Sequence, residues 1–189
     1  NALIKLGFAE EADRHLRELM GEANHSSPVA LYAAMFLANR QFAQGAFLSS
    51  METFLWLTKH YPETRLSWVF HLGAAESARG IKQIDRAAKE YQWVTERAPD
   101  AVSRAEGALR MGDLYMGIHQ YDRALAAYFQ GLHHFKKEAE TFPAAHINRA
   151  EALYGLEQYD RAKESFTQFL EKFPSHPAGW RATFRLGEI

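Results

Sequence analysis

Cysteine is absent from the 189 residues, which removes disulfides, thiolate nucleophiles and Cys-ligated metals and leaves the compartment open. A surplus of either charge is also missing. With 22 basic against 23 acidic side chains, a formal net charge of −1, the chain has no global positive field to draw in nucleic acid. The longest unbroken apolar run, Val29–Ala38, is ten residues, about half of what a bilayer-crossing helix requires. Asn1–Gly7 does not show a basic segment, apolar block and small-residue cleavage site in series, so no cleavable signal is expected. Glycine-rich phosphate loops, a G-x-S-x-G elbow and an H-E-x-x-H pair are lacking as well. What the chain has is apolar substance, 47% hydrophobic and 13% aromatic, which excludes disorder and suffices for a substantial core.

That substance recurs with a period. From Tyr159, the offsets 3, 7, 10 and 14 give Ala162, Phe166, Phe169 and Phe173, one stripe of an α-helix. The same offsets from Tyr121 give Ala124, Tyr128, Gly131 and Phe135, and from Ile84 they give Ala87, Tyr91, Val94 and Ala98. Phe47 leads to Ser50, Phe54, Leu57 and Tyr61, and Ala9 leads to Ala12, Leu16, Leu19 and Ala23. The five origins are 38, 37, 37 and 38 residues apart.

A second helix precedes each of these and carries a large aliphatic residue followed by a small one: Leu37-Ala38, Leu72-Gly73, Met111-Gly112 and Leu186-Gly187, with only Ala150 kept at Arg149-Ala150. Gly45, Gly80, Gly117 and Gly155 read as the turns within pairs. All six prolines fall where pairs should meet. The pattern predicts helices near 29–43, 47–60, 64–79, 84–97, 101–116, 121–139, 144–155, 159–172 and 178–189, with a partial pair over 1–20. One pair cannot bury its apolar stripe alone, so the pairs must stack into an all-α solenoid.

Met111-Gly112-x-x-Tyr115 followed by Tyr121-Asp122-Arg123-Ala124-x-x-x-Tyr128 resembles the tetratricopeptide repeat, as does Tyr159-Asp160-Arg161-Ala162-x-x-x-Phe166 closing on Phe173-Pro174. The likeness is strong over 105–176, fair over 66–104 and degenerate over 28–65, where Ser50 stands in place of alanine. It implies a right-handed superhelix of antiparallel helix pairs: a single segment with a partial repeat 1–27, repeats 28–65, 66–104, 105–142 and 143–176, and a partial repeat 177–189. The repeat is longer than the family's usual one, and HEAT-like repeats are the structural alternative, although they do not explain the Tyr-Asp-Arg-Ala motifs. Phe166-x-x-Phe169-Leu170-x-x-Phe173-Pro174, leading into Phe184-x-Leu186-Gly187, is similar to repeats of the Tol-Pal coordinator and of the lipoprotein of the outer-membrane barrel assembly machine. That likeness implies a bacterial periplasmic or envelope location, with the cytoplasm as the alternative.

No catalytic constellation emerges. His133 and His134 are adjacent on a helix and diverge by about 100°, His134 and Glu138 share only one face, and the remaining histidines are scattered. Structural or solvated roles are expected for them, with no metal, no cofactor and no enzymatic activity. Binding is what remains. In the family the first helix of each pair lines a concave groove for partner peptides. Carried over, that groove comprises Tyr32, Met35 and Asn39, then Phe70, His71 and Ala74, then Leu109, Arg110 and Asp113, then Ile147, Asn148 and Glu151, then Arg181, Phe184 and Arg185. The apolar members suit a core equally well. The carboxylate clamp of chaperone-tail binders fits at Asn148, Arg181 and Arg185 but fails at Leu109 and Asp113, so a chaperone tail is not expected. The arginines either orient an acidic or backbone group of a ligand or pair with Glu106, Asp113 and Glu151.

The function expected is a protein–protein scaffold that docks a peptide or helix, within a bacterial envelope-associated assembly. The alternative is a self-associating spacer. Neither nucleic acid nor membrane insertion is expected. The chain also reads as a segment of a longer solenoid, since Asn1–Leu6 precede a turn at Gly7 and Ile189 falls inside a first helix. Trp180, Phe184 and Leu186 would then form an apolar end suited to pairing with another copy.

Overall fold

The computed structural model describes residues 9–22 and 27–189. The turn expected at Gly7 and the segment before it lie outside them. Ten α-helices are described: α1 (Ala9–Glu22), α2 (Pro28–Ala43), α3 (Phe47–His60), α4 (Ser67–Gly80), α5 (Ile84–Arg97), α6 (Ala101–Met116), α7 (Tyr121–His134), α8 (Pro143–Gly155), α9 (Tyr159–Lys172) and α10 (Gly179–Glu188). A 3-10 turn occupies Glu138–Thr141, and no strand occurs among the described residues. None of the described helices is long and apolar enough to cross a membrane. The chain divides into two compact units, residues 1–90 and 91–189.

In the first unit consecutive helices from α1 to α4 pack in sequence. Their core joins Ala34 and Ala38 of α2 to Phe54 and Leu57 of α3 and to Phe70 and Ala74 of α4. In the second, α6 to α10 pack in sequence, and α6 also touches α8. Ile147, Ala150 and Leu153 of α8 there share a core with Ala162, Phe166 and Phe169 of α9 and Ala182 of α10. The predicted stripe is the buried one: Ala87, Ala124 and Ala162 have no exposed surface, nor do Tyr91, Tyr128 and Phe166.

The small residue of the marker pairs has a steric cause. A Cβ on Gly73 would lie 2.4 Å from the Phe54 ring, and one on Gly112 would lie 2.5 Å from the Tyr128 ring. A neighbouring helix therefore rests its aromatic directly on the backbone. Ser50, which departs from the alanine pattern, is fully buried and satisfied. Its hydroxyl donates to the Ala38 carbonyl at 2.9 Å and lies 3.0 Å from the Ser77 hydroxyl, which donates to the Gly73 carbonyl.

The turns within pairs differ from expectation. Gly80 and Gly155 are the last residues of α4 and α8, and Gly117 caps α6 in a right-handed conformation with φ −63°. The left-handed residues are Gly45, Lys82, His119 and Glu157, at φ 76°, 60°, 59° and 57°, so they recur 37, 37 and 38 residues apart. Each belongs to a Schellman motif. The N–H groups of Ala46, Gln83, Gln120 and Gln158 bond back to the carbonyls of Gln41, Ala78, Tyr115 and Leu153 at 2.9, 2.9, 3.0 and 3.0 Å. The left-handed well costs a residue with a Cβ about 1–2 kcal/mol, whereas glycine gives back about 0.5–1 kcal/mol through the unfolded chain's entropy. Lys82→Gly and Glu157→Gly are therefore expected to stabilise by about 0.5–1 kcal/mol, and Gly45→Ala to destabilise by a similar amount. Urea midpoints at constant m-value would report both signs.

Helix ends follow local chemistry. Ser27 caps α2, its hydroxyl accepting from the Val29 N–H at 3.2 Å, with Pro28 at the first position. The helix expected over 121–139 stops at His134. Pro143 pushes Phe142 out of the α region, and the connection is filled by the 3-10 turn, with Glu140 N–H bonding to the Lys137 carbonyl at 3.3 Å. The helix expected to begin at 64 begins at Ser67, and the last helix begins at Gly179 rather than 178.

Asp100 caps α6, accepting from the Ser103 N–H at 2.9 Å and from its hydroxyl at 2.8 Å. The backbone bond from Ser103, with that from its hydroxyl, holds the Asp100 carboxyl below its ordinary range. The contribution is present above the ordinary aspartate pKa and is lost as pH falls through the lower native value. Asp100→Ala should cost about 1 kcal/mol near neutral pH. The gap between variant and parent should close on acidification, as read by denaturant melts across a pH series.

Candidate partner-binding site

The richest arrangement of polar side chains lies in the second unit, across the first helices α6, α8 and α10. Tyr128, reaching from α7, donates its hydroxyl to Asp113 Oδ1 at 2.6 Å, and Asn148 Nδ2 donates to the same oxygen at 2.9 Å. Arg181 bridges onward, with Nη1 3.4 Å from Asn148 Oδ1 and Nη2 3.3 Å from Glu151 Oε1. Arg185 Nε donates to Glu151 Oε2 at 3.0 Å and its Nη1 to Glu188 at 2.7 Å. Its guanidinium also lies over the Tyr154 ring, 4.3 Å from the centroid. Five of the expected groove residues, Asp113, Asn148, Glu151, Arg181 and Arg185, thus form one continuous row.

Helical geometry builds the row. Asn148 and Glu151 are three apart on α8, and Arg181 and Arg185 four apart on α10, so each pair shares a face. Burial raises the Tyr128 hydroxyl far above its ordinary pKa, and the Asp113 charge and hydrogen bond reinforce this. The phenol therefore stays protonated as a fixed donor. The hydrogen bond to Glu188, with Glu151 adding its charge, raises Arg185. Glu151 is 10% exposed while Arg181 and Arg185 are 36% and 31% exposed. The cations thus present their outer edges to solvent while the acid behind holds them.

Beside the row, Arg110 is exposed and bonds Glu106 on its own helix at 3.2 Å. Both line a cavity of about 330 Å3 with Asp113, Leu109, Phe142 and Pro143. Leu109 and Ile147 are 4% and 0% exposed. They are core residues, as their apolar side chains allow.

The first unit holds the other expected groove residues, without such a row. Phe70 has no exposed surface and Ala74 none, so neither can meet a partner; both belong to the core with Phe54. Met35 is half-buried against that core, and Tyr32 is 64% exposed. Asn39 is exposed and turns its amide back to the Met35 carbonyl at 2.8 Å. His71 faces Glu90 at 2.6 Å, both side chains largely buried.

Tyr128, Tyr154 and Glu188 were not among the expected groove residues. Tyr128 reads from sequence as filler on the second-helix stripe. The one available signal was its hydroxyl, which Tyr91 shares at the same offset and which Phe166 and Phe54 lack.

A family model described as a tetratricopeptide repeat-like domain matches residues 7–142, and one described as a tetratricopeptide repeat matches residues 147–189. The chain belongs to the tetratricopeptide repeat family. Among solved structures, MamA superposes with a TM-score of 0.72 at 17% identity, covering 92% of this chain and 87% of that one. A tetratricopeptide repeat protein from Parabacteroides merdae gives 0.71 at 15%, covering 99% and 70%. The apo form of RapI gives 0.78 at 16%, covering 95% of this chain and 53% of that one. These superpositions establish a shared fold. No curated protein matches the sequence significantly. In tetratricopeptide repeat terms, the polar row runs from α6 through α8, each the first helix of a pair, to α10, which packs on α9.

Proposed function

We propose that this tetratricopeptide repeat chain is a non-catalytic scaffold that docks a peptide or helical segment of another protein on the face formed by α6, α8 and α10. The observation that carries this reading is the ordered row from Asp113 to Arg185 beside the cavity over Leu109 and Phe142. Fixed, part-exposed guanidinium edges suit backbone carbonyls or an acidic side chain, and the cavity suits one apolar anchor of the same segment. The row is nearly charge-balanced, so recognition rests on geometry more than on attraction between net charges. The likeness of the Phe166–Pro174 segment to envelope proteins supports an assembly in the bacterial envelope.

A photo-crosslinking residue in place of Arg110 should capture a partner that the same residue in place of Lys163, exposed on α9, does not. Arg110→Glu should weaken binding of that partner about tenfold or more while leaving Tm nearly unchanged. Equal capture at both positions, or an unaltered affinity, would remove this face from the site. Self-association is a second reading. It is supported by Trp180 and Phe184, four apart on α10 and 70% and 58% exposed. Concentration-dependent sedimentation that Trp180→Ser abolishes would favour it.

A further inference from the structure

A second cavity, of about 350 Å3, lies among α7, α8 and α9 on residues that the polar row does not use. Three of its lining side chains, Lys136, Arg149 and Lys172, are cations, and none of its lining residues is acidic. Lys172 is paired with Glu140 at 3.1 Å, outside the lining. Arg149 is different. Its Nη2 donates to the Ser165 hydroxyl at 3.2 Å, and its Nε is buried with no partner among the described residues. Burial, with the charge of Arg161 adding to it, lowers the pKa of this guanidinium, and the charge of Glu164 opposes them. Glu164 itself accepts from the Gln168 amide at 2.9 Å. A part-buried guanidinium without a hydrogen-bonded carboxylate is costly to maintain, and an anion in the cavity that Arg149 lines would supply it with a charge-assisted partner. The floor is Phe169, 1% exposed, and the rim carries Phe129, 56% exposed and stacked on His133 at 4.7 Å.

We propose that this cavity binds a phosphate monoester, its dianionic head held by Arg149, Lys136 and Lys172 and its carbon skeleton resting on Phe129. Arg149 and Lys136, with Lys172 shared by Glu140, call for more than a single negative charge. The aromatic rim calls for a head that is not alone. The volume is that of a small-ligand site. This inference is independent of the partner-binding face, whose residues line a different cavity.

Calorimetric titration of the intact chain with phenyl phosphate, inorganic phosphate and benzoate tests it. Phenyl phosphate is expected to bind one to one, about tenfold or more tighter than either of the others. Arg149→Gln should weaken it about tenfold, and Lys136→Glu and Lys172→Glu about fivefold each. Lys59→Glu, the same charge change on α3, should leave affinity within about twofold. Should Arg149→Gln fail to fold, the two exposed lysine variants decide. Absence of saturation, or affinity indifferent to all three cavity variants, overturns the site. Equal binding of inorganic phosphate would mean an adventitious ion only, and equal binding of benzoate would overturn the phosphate assignment.

Discussion

Phe166→Ala is expected to destabilise the second unit by about 3–5 kcal/mol, the largest effect of any single truncation considered. The ring has no exposed surface and shares its cluster with Ile147, Ala150 and Leu153 of α8 and Ala182 of α10. It therefore fills space between one helix pair and the next. Three neighbours in that cluster are alanines, which cannot swing inward, so the cavity stays open and the cavity penalty adds to the lost transfer energy. Ala162→Leu, from the opposite direction, should cost about 1–3 kcal/mol by overpacking. Denaturant melts read both. A loss below about 0.5 kcal/mol for Phe166→Ala would mean that the stripe does not bear the stacking.

Asp113→Ala is expected to cost about 2–4 kcal/mol. Its Oδ1 is the acceptor for both the Tyr128 hydroxyl and the Asn148 amide. Tyr128 is completely buried, so its hydroxyl has no water to turn to, whereas the half-buried Asn148 does. Asp113→Asn keeps an oxygen in place and should cost under about 1.5 kcal/mol. Tyr128→Phe introduced into the Asp113→Ala variant removes the orphaned donor and should restore about 1 kcal/mol. Were the two changes simply additive, the hydroxyl would not depend on Asp113, and the row would not be held from behind by α7.

The helices were readable because their apolar residues obey one period. Ala124, Ala162, Tyr91 and Phe166 are buried where the stripe puts them. The turns were less so. Glycine suggests a break, but in three of the four pairs the left-handed residue is Lys82, His119 or Glu157, chosen by the position of the cap rather than by side-chain preference. Phe70 illustrates a different limit. A family position on the first helix does not specify which side of that helix a large ring will take, and burial against Phe54 decided it. On the face proposed for docking, Asn148 and Arg181 could be named from position alone. That they are tied to Asp113 and Glu151 depends on the spacing between helices, which one sequence does not encode locally. Arg149 stood in plain view as an imperfect copy of the aliphatic–small marker, and its charge in a cavity is visible only once α9 brings Ser165 to it.

The four Schellman turns have a kinetic consequence. Their closing bonds span five residues, so each hairpin of helices can form before any distant part of the chain is in place, at little loop-closure cost. Contacts between sequence neighbours keep contact order low, and folding on the microsecond-to-millisecond scale goes with such topologies. The amides of Ala46, Gln83, Gln120 and Gln158 each seal one hairpin. Their individual rates of hydrogen exchange under mild denaturant therefore measure the opening of each hairpin separately, giving an order of events that a single melting curve averages away.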